Sequence, residues 1–315
     1  MDVPVTAAEL DEITAEKAFS ILGNETRIAV LQELWRADEP CSFSELQKTV
    51  APDDRGNFSY HLGKLAGHFI RKTDEGYSLR FAGEQVVRAV LTGTITSDPT
   101  MSSDETNQEC LYCNTQLQMS YEEETLNLRC ENCAGLTARD VPHGTTMNFE
   151  FPPAGLLGRD YEEIIYAADV LYDSKISPMI KGICPECTGQ VSRTFTICSE
   201  HEHDDDGGCP NCETRYEHWG TFQCDDCRYS RSFPLWYAAL NHPAATAFLY
   251  TNGHNEKVPF RKVTWDNRQF VQDITGTTLQ EDPYKFRITF PVEDERLQLT
   301  LDDELDVIAV EKVKK

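Results

Sequence analysis

Ten of the twelve cysteines fall in five C-x2-C pairs: Cys110/Cys113, Cys130/Cys133, Cys184/Cys187, Cys209/Cys212 and Cys224/Cys227. Two thiols three positions apart on a tight turn aim at one centre, and two such turns make a tetrahedral thiolate cage. Disulfide frameworks seldom repeat that spacing, so a reducing, cytoplasmic setting with bound metal is favoured over secretion. Residues 1–13 contain acids and no basic segment, which argues against a secretory signal. No apolar run reaches the roughly 18 residues of a membrane helix, so no membrane role is expected.

The first cage is simple. Sixteen residues separate Cys113 from Cys130. Leu117, Met119 and Tyr121 alternate, Glu122–Glu124 turns the chain, and Leu126 and Leu128 alternate again. The pattern is a two-stranded hairpin that returns the second cysteine pair to the first. It reads as a zinc ribbon, with a rubredoxin-like iron cage as the alternative that uses the same four thiolates.

The second cluster contains Cys184, Cys187, Cys198, His201, Cys209, Cys212, Cys224 and Cys227. Val191–Ile197 and Arg215–Phe222 read as strands. Spans of ten and eleven residues, if unbroken, extend roughly 33–36 Å, too far for sequence-adjacent pairs to share an ion. An antiparallel ribbon then groups Cys184, Cys187, Cys224 and Cys227 at one end, and Cys198, His201, Cys209 and Cys212 at the other. The alternative closes Cys209/Cys212 with Cys224/Cys227 around a short hairpin near Gly220. The matched strand lengths favour the antiparallel form. His203 could replace His201. His218 reads as a surface residue and Cys41 as a small buried hydrophobe. The total is three Zn2+ per chain.

Residues 14–96 read as helices followed by a hairpin and a last helix. Asn24 is a good cap for a helix whose apolar face is Ile28, Leu31 and Leu34. Ser42-Phe43-Ser44-Glu45 is a capping box. In the third pattern Phe58, Leu62, Leu65 and Phe69 share one face. Ile70–Thr73 and Tyr77–Arg80 flank a turn. This order is that of a winged helix-turn-helix. Residues 55–72 carry Arg55, Lys64, Arg71 and Lys72 and no acid, in a chain of net charge -24. A basic island of this kind is the footprint of phosphate contact. Asn57, Ser59, Tyr60, His61 and Lys64 are candidate base-reading residues, with Arg55, Arg71 and Lys72 toward phosphate.

The run AFSILGNETRIAVLQEL from Ala18, with FSELQKTV, GNFSYHLGKL and RKTDEGYSLRF, resembles the ArsR-type winged-helix repressors. It is most similar to the haloarchaeal variants with zinc ribbons and a large C-terminal domain. The resemblance covers about residues 14–96 and implies a DNA-binding regulator, dimeric through its outer helices. Metal-sensing members carry paired cysteines on the helix before the recognition helix. Phe43–Lys48 has none, so sensing at that site is not expected.

The acidity is diffuse. Residues 1–96 hold 15 acids and 10 bases, and residues 97–315 the other 38 and 19. With no block pattern, this fits a protein of a salt-in halophile rather than an acidic docking tail. Thr92–Gln108 is polar and reads as a linker. Further on, Met147–Phe151 reads as a strand stopped by Pro152-Pro153, and apolar residues at helical spacing suggest a helix from Tyr161 and helical structure from Leu235 to Tyr250 broken near Pro243. A hairpin follows at Tyr284–Leu301, with a third strand near Leu305–Val310.

The expected fold class is α+β and multidomain. A winged helix-turn-helix occupies 1–96, a linker 97–108 and a zinc ribbon 109–140. A C-terminal α+β domain fills 141–315, with a two-metal β-ribbon inserted at 182–230. The expected function is a sequence-specific DNA-binding regulator, a homodimer on double-stranded DNA. Its C-terminal domain would take a small-molecule effector or a protein partner. The alternative is a zinc-ribbon adaptor whose helical domain dimerises without reading DNA. No nucleophile elbow, P-loop or HExxH occurs, and four-ligand cages leave no open metal position, so an enzyme is not expected.

Overall fold

Thr14, Asn24, Ser42 and Asp54 each accept a hydrogen bond from the backbone N–H three residues on, and each opens a helix. These are α1 (Ala15–Leu22), α2 (Glu25–Arg36), α3 (Phe43–Val50) and α4 (Arg55–Leu65). At Ser42 the capping box is complete, because Glu45 reaches back to the Ser42 N–H. A hairpin of β1 (Ile70–Thr73) and β2 (Gly76–Leu79) follows, then α5 (Phe81–Leu91). Cys41 adds a one-residue bridge to Tyr77. It is half-buried at the edge of this core rather than enclosed by it, and burial raises its thiol pKa. Val30, Leu31, Leu46, Phe58, Leu62 and Leu65 form the centre of the core.

The structure is a computed structural model that describes residues 13–137, 139–253 and 271–314. The N-terminal stretch read for a signal sequence lies outside the described residues, except Ile13. The chain divides into two units, Met1–Ser97 and Asp98–Lys315. Among the described residues no helix is long and apolar enough to cross a membrane.

Among its described residues the second unit is mixed α/β with three sheets. In the first, β3 (Met101–Glu109), β4 (Gln116–Glu122), β5 (Thr125–Arg129) and β6 (Thr145–Glu150) run in sequence order, all antiparallel. The expected two-stranded hairpin is therefore the middle of a four-stranded sheet. The expected linker is also corrected, since most of residues 97–108 belongs to β3. That strand lacks an apolar face because it pairs through its backbone and buries only Thr106, whose hydroxyl bonds the Leu117 carbonyl. The 20-residue α6 (Tyr161–Ile180), capped by Asp160, packs Ile164, Ile165 and Ala168 on this sheet. Its far end places Ile176 and Met179 in a second core.

That second core is built on β7 (Val191–Ile197), β8 (His218–Cys224) and β9 (Ser230–Pro234), with α7 (Leu235–Leu240) and α8 (Pro243–Thr251). The break near Pro243 falls where proline starts α8. The last sheet runs β10 (Thr275–Glu281), β11 (Tyr284–Val292), β12 (Glu295–Leu301) and β13 (Val307–Lys314). Phe286, Ile288 and Phe290 alternate inward with Leu297, Leu299 and Leu301. The first ribbon is not a separate body. Thr137 bridges Thr214, and both lie in the second unit.

Candidate metal centres and an exposed basic face

Four of the five C-x2-C turns share one backbone shape. The residue after the second cysteine is left-handed at Asn114, Thr188, Glu213 and Arg228, with φ of 60°, 63°, 57° and 66°. The N–H of each first cysteine donates to a carbonyl five residues on, at 2.8–3.1 Å. This curls both thiols to one side and aims backbone N–H groups at sulfur. The N–H groups of Tyr112, Asn132 and Glu186 each lie 3.4 Å from the sulfur of Cys110, Cys130 and Cys184. Donors so placed favour the thiolate, the form that binds metal. The remaining turn, at Cys130, is held by Gly144. Its φ of +82° suits glycine, and a β-carbon there would run into the Cys130 carbonyl.

Three groups of four ligand atoms result, each group lying within 4.8 Å. The first is Cys110, Cys113, Cys130 and Cys133. The second is Cys184, Cys187, Cys224 and Cys227, and the third Cys198, His201, Cys209 and Cys212. The register explains the division. Val191 pairs with Cys224 and Ile197 with His218, so the antiparallel ribbon carries one cluster at each end. Sulfur–sulfur separations are 3.4–3.6 Å in the first two clusters and 3.9 Å between Cys198 and Cys209. Metal–sulfur bonds of about 2.3 Å in a tetrahedron set sulfurs about 3.8 Å apart. Disulfide sulfurs would sit about 2.05 Å apart. In the third cluster Nδ1 of His201 lies 3.5 Å from the Cys212 sulfur. His203 is used differently, its Nε2 being 2.9 Å from the Arg215 carbonyl oxygen.

Charge makes the same demand for a cation. Burial opposes ionisation of Cys113, yet the Thr115 hydroxyl and N–H pull its thiol down to about 6. Burial and the neighbouring thiols push Cys130 up to about 11. At Cys209 burial is outweighed by the N–H groups of Glu202, Cys212 and Asn211, which lower it to about 7. Burial instead raises Cys198 to about 11. Thiolates this close cannot all ionise alone, and a divalent cation removes the conflict.

His218 departs from the surface position expected of it. It is buried, its Nε2 lies 2.9 Å from Thr278 Oγ1, and its ring packs on Phe286. The sequence signal was its place on β8, where Phe222 and Cys224 of the same parity are also buried.

In the first unit Arg55, Asn57, Ser59, Tyr60 and Lys64 are exposed on α4, and Arg71 and Lys72 on β1. None of the four cations forms an ion pair among the described residues. Arg55 lies over Phe43, Lys64 over Tyr60 and Lys72 over Tyr77, while Arg71 Nε donates to Ser78 Oγ at 2.8 Å. His61 does not join them. It follows Phe58 by three positions, so its side chain turns inward and is 7% exposed. Its Nδ1 has no hydrogen-bond partner among the described residues.

Among the described residues the clusters define a mixed α/β protein with three sites able to hold a metal ion. Residues 107–307 match the model of a family described as a domain of unknown function, DUF7351, and the chain belongs to that family. Residues 15–90 match a second family model, also described as a domain of unknown function, DUF7347. No curated protein and no solved structure matches the chain.

Proposed function

We propose that this protein is a sequence-specific DNA-binding transcription regulator of the ArsR-like winged helix-turn-helix type. The observation that carries the reading is the acid-free stretch 55–72. It exposes Arg55, Asn57, Ser59, Tyr60 and Lys64 on one helix and Arg71 and Lys72 on the following hairpin, with no ion pair engaging the cations among the described residues. In this reading α4 lies in the major groove and the β1–β2 hairpin is the wing against phosphate. Asn57 can pair bidentately with adenine, and Lys64 reaches a guanine edge or a phosphate.

The three clusters hold structural Zn2+, because soft thiolates with imidazole in closed tetrahedral sets suit zinc. Cysteines spaced as metal ligands in this number belong to a reducing compartment, so the reading sets the protein in the cytoplasm. Phe19 and Phe81 are 74% and 71% exposed on α1 and α5, and Leu91 and Ile95 are also exposed. This apolar surface supports a homodimer on double-stranded DNA through the outer helices. The second unit then receives an effector or partner. A genome-wide map of occupied DNA at native salt tests the reading. Discrete sites sharing a pseudo-palindrome support it. Occupancy with no shared sequence favours the adaptor alternative.

A further inference from the structure

The three clusters differ in how far their ligands reach solvent. In the first, Cys110, Cys130 and Cys133 are buried and Cys113 is half-buried. In the third, Cys209 is buried, while Cys198, His201 and Cys212 are half-buried. The second is divided, with Cys184 and Cys224 buried and Cys187 and Cys227 exposed. Among the described residues these two are the only exposed ligands of the three clusters.

The division follows from place in the turn. Cys184 and Cys224 open their C-x2-C turns and belong to the core that holds Val191 and Phe222. The backbone N–H groups of Glu186 and Cys227 lie 3.4 and 3.5 Å from these two buried sulfurs. Cys187 and Cys227 close the turns and reach solvent. Gly189 keeps the approach to Cys187 open, since a β-carbon there would lie 3.2 Å from its sulfur and run into Asp226 Oδ2.

Oxidation of cysteine follows thiolate character and exposure. Zinc holds its cysteine ligands as thiolates in every cluster, so exposure sets the order among them. Cys41, which belongs to no cluster, is half-buried. Burial, with Glu45 and Glu33, raises its thiol pKa and keeps it in the unreactive protonated form.

We propose that Cys187 and Cys227 form a peroxide-oxidised pair that closes a disulfide and releases the metal ion of the second cluster. One exposed thiolate attacks hydrogen peroxide. A sulfur–oxygen bond forms, the oxygen–oxygen bond breaks, and hydroxide leaves a sulfenic acid behind. The second thiolate attacks that sulfur. The disulfide bond forms, the sulfur–oxygen bond breaks, and a second hydroxide leaves. The two sulfurs give up two electrons, the peroxide takes both, and Zn2+ keeps its charge. The pairing moves two exposed sulfurs from within 4.8 Å to about 2.05 Å and leaves the buried Cys184 and Cys224 where they pack. Two remaining thiolates do not make a four-coordinate site, so the ion is lost. This oxidation rests on the zinc-bound reading of the clusters and not on DNA binding.

The test begins with native mass spectrometry of the full-length protein, which checks the zinc reading by itself. Hydrogen peroxide is then added in rising amounts, a chromogenic chelator reports released zinc, and differential alkylation with peptide mapping locates the disulfide. The first ion released should accompany a Cys187–Cys227 disulfide, with the other two ions retained. A thiol reductant with added zinc should restore the original count. Gly189→Ala sets a methyl group against the Cys187 sulfur and should slow the release, whereas Cys41→Ser should release at the wild-type rate. A first disulfide in another cluster, or one that includes Cys184 or Cys224, overturns the proposal. So does simultaneous loss of all three ions, or an unchanged rate in Gly189→Ala. A low initial zinc count with the same first disulfide sinks the three-zinc reading and leaves the oxidised pair assigned.

Discussion

The guanidinium of Arg215 lies over the Tyr112 ring, 3.9 Å from its centroid. Tyr112 sits inside the first C-x2-C turn, and Arg215 follows Cys212 of the third cluster by three residues. The same side chain donates from Nε to the Gly135 carbonyl at 2.7 Å, and its backbone N–H donates to Leu136 at 3.0 Å. Two metal clusters far apart in sequence therefore share one anchor.

Replacing that anchor should loosen both clusters together. Arg215→Ala loses a cation–π contact and a charge-assisted hydrogen bond, together worth about 2–4 kcal/mol. Thermal unfolding of the zinc-loaded protein should show a lowered midpoint. Zinc release measured with a chromogenic chelator should accelerate from the first and third clusters, leaving the second at its original rate.

Metal removal should separate the two units of the chain. Twelve ligands in three clusters predict three zinc ions per chain by native mass spectrometry. Chelation should unfold the metal-bearing sheets first, because a cage supplies much of a small ribbon's folding energy. The first unit has its own core and no metal cluster among its described residues, so most of its helical circular dichroism should persist. A chain that binds only one ion, or that loses both signals at once, contradicts this division.

Stability should also fall on mild acidification, for a reason specific to His218. Burial lowers its pKa below the ordinary histidine value, with Glu217 opposing and His201 adding to the effect. The unfolded chain therefore binds a proton at higher pH than the folded chain does. Stability is full above the unfolded value of about 6.5 and declines as pH drops below it. In His218→Gln, denaturant midpoints should decline less between neutral and mildly acidic pH. An identical decline in both proteins assigns the effect elsewhere.

Much of this architecture was legible because cysteine spacing and strand length are local quantities. Closely matched spans between Cys187 and Cys198 and between Cys212 and Cys224 favour an antiparallel register over the short hairpin near Gly220, and the observed register distributes the ligands between the two ends. The misreadings came from tertiary effects. Strand β3 has no alternating pattern because it contributes backbone bonds and little buried surface. Strand β9 was concealed by its short length beside Cys227. His61 was assigned to the outer face although it stands three residues from Phe58, on the side that helix geometry turns inward.

The position of His61 yields a contrast between inward and outward residues. His61→Leu removes a buried nitrogen that has no partner among the described residues, so thermal stability should be unchanged or higher and DNA affinity unaltered. Arg71→Ala and Lys72→Ala should leave the fold intact and weaken DNA binding across all sequences. Each should reduce the slope of log affinity against log salt by about 0.9. Fluorescence anisotropy at several salt concentrations distinguishes the two kinds of variant.

The most direct measurement is selection from a random duplex library by the full-length, zinc-loaded protein at molar KCl. High salt suppresses the phosphate contribution, so enrichment reports base reading. A DNA-reading dimer should enrich one pseudo-palindromic motif, and Lys64→Glu, with metal content and circular dichroism unchanged, should lose it. Recovery of no motif by an intact, fully metallated protein contradicts the regulator reading.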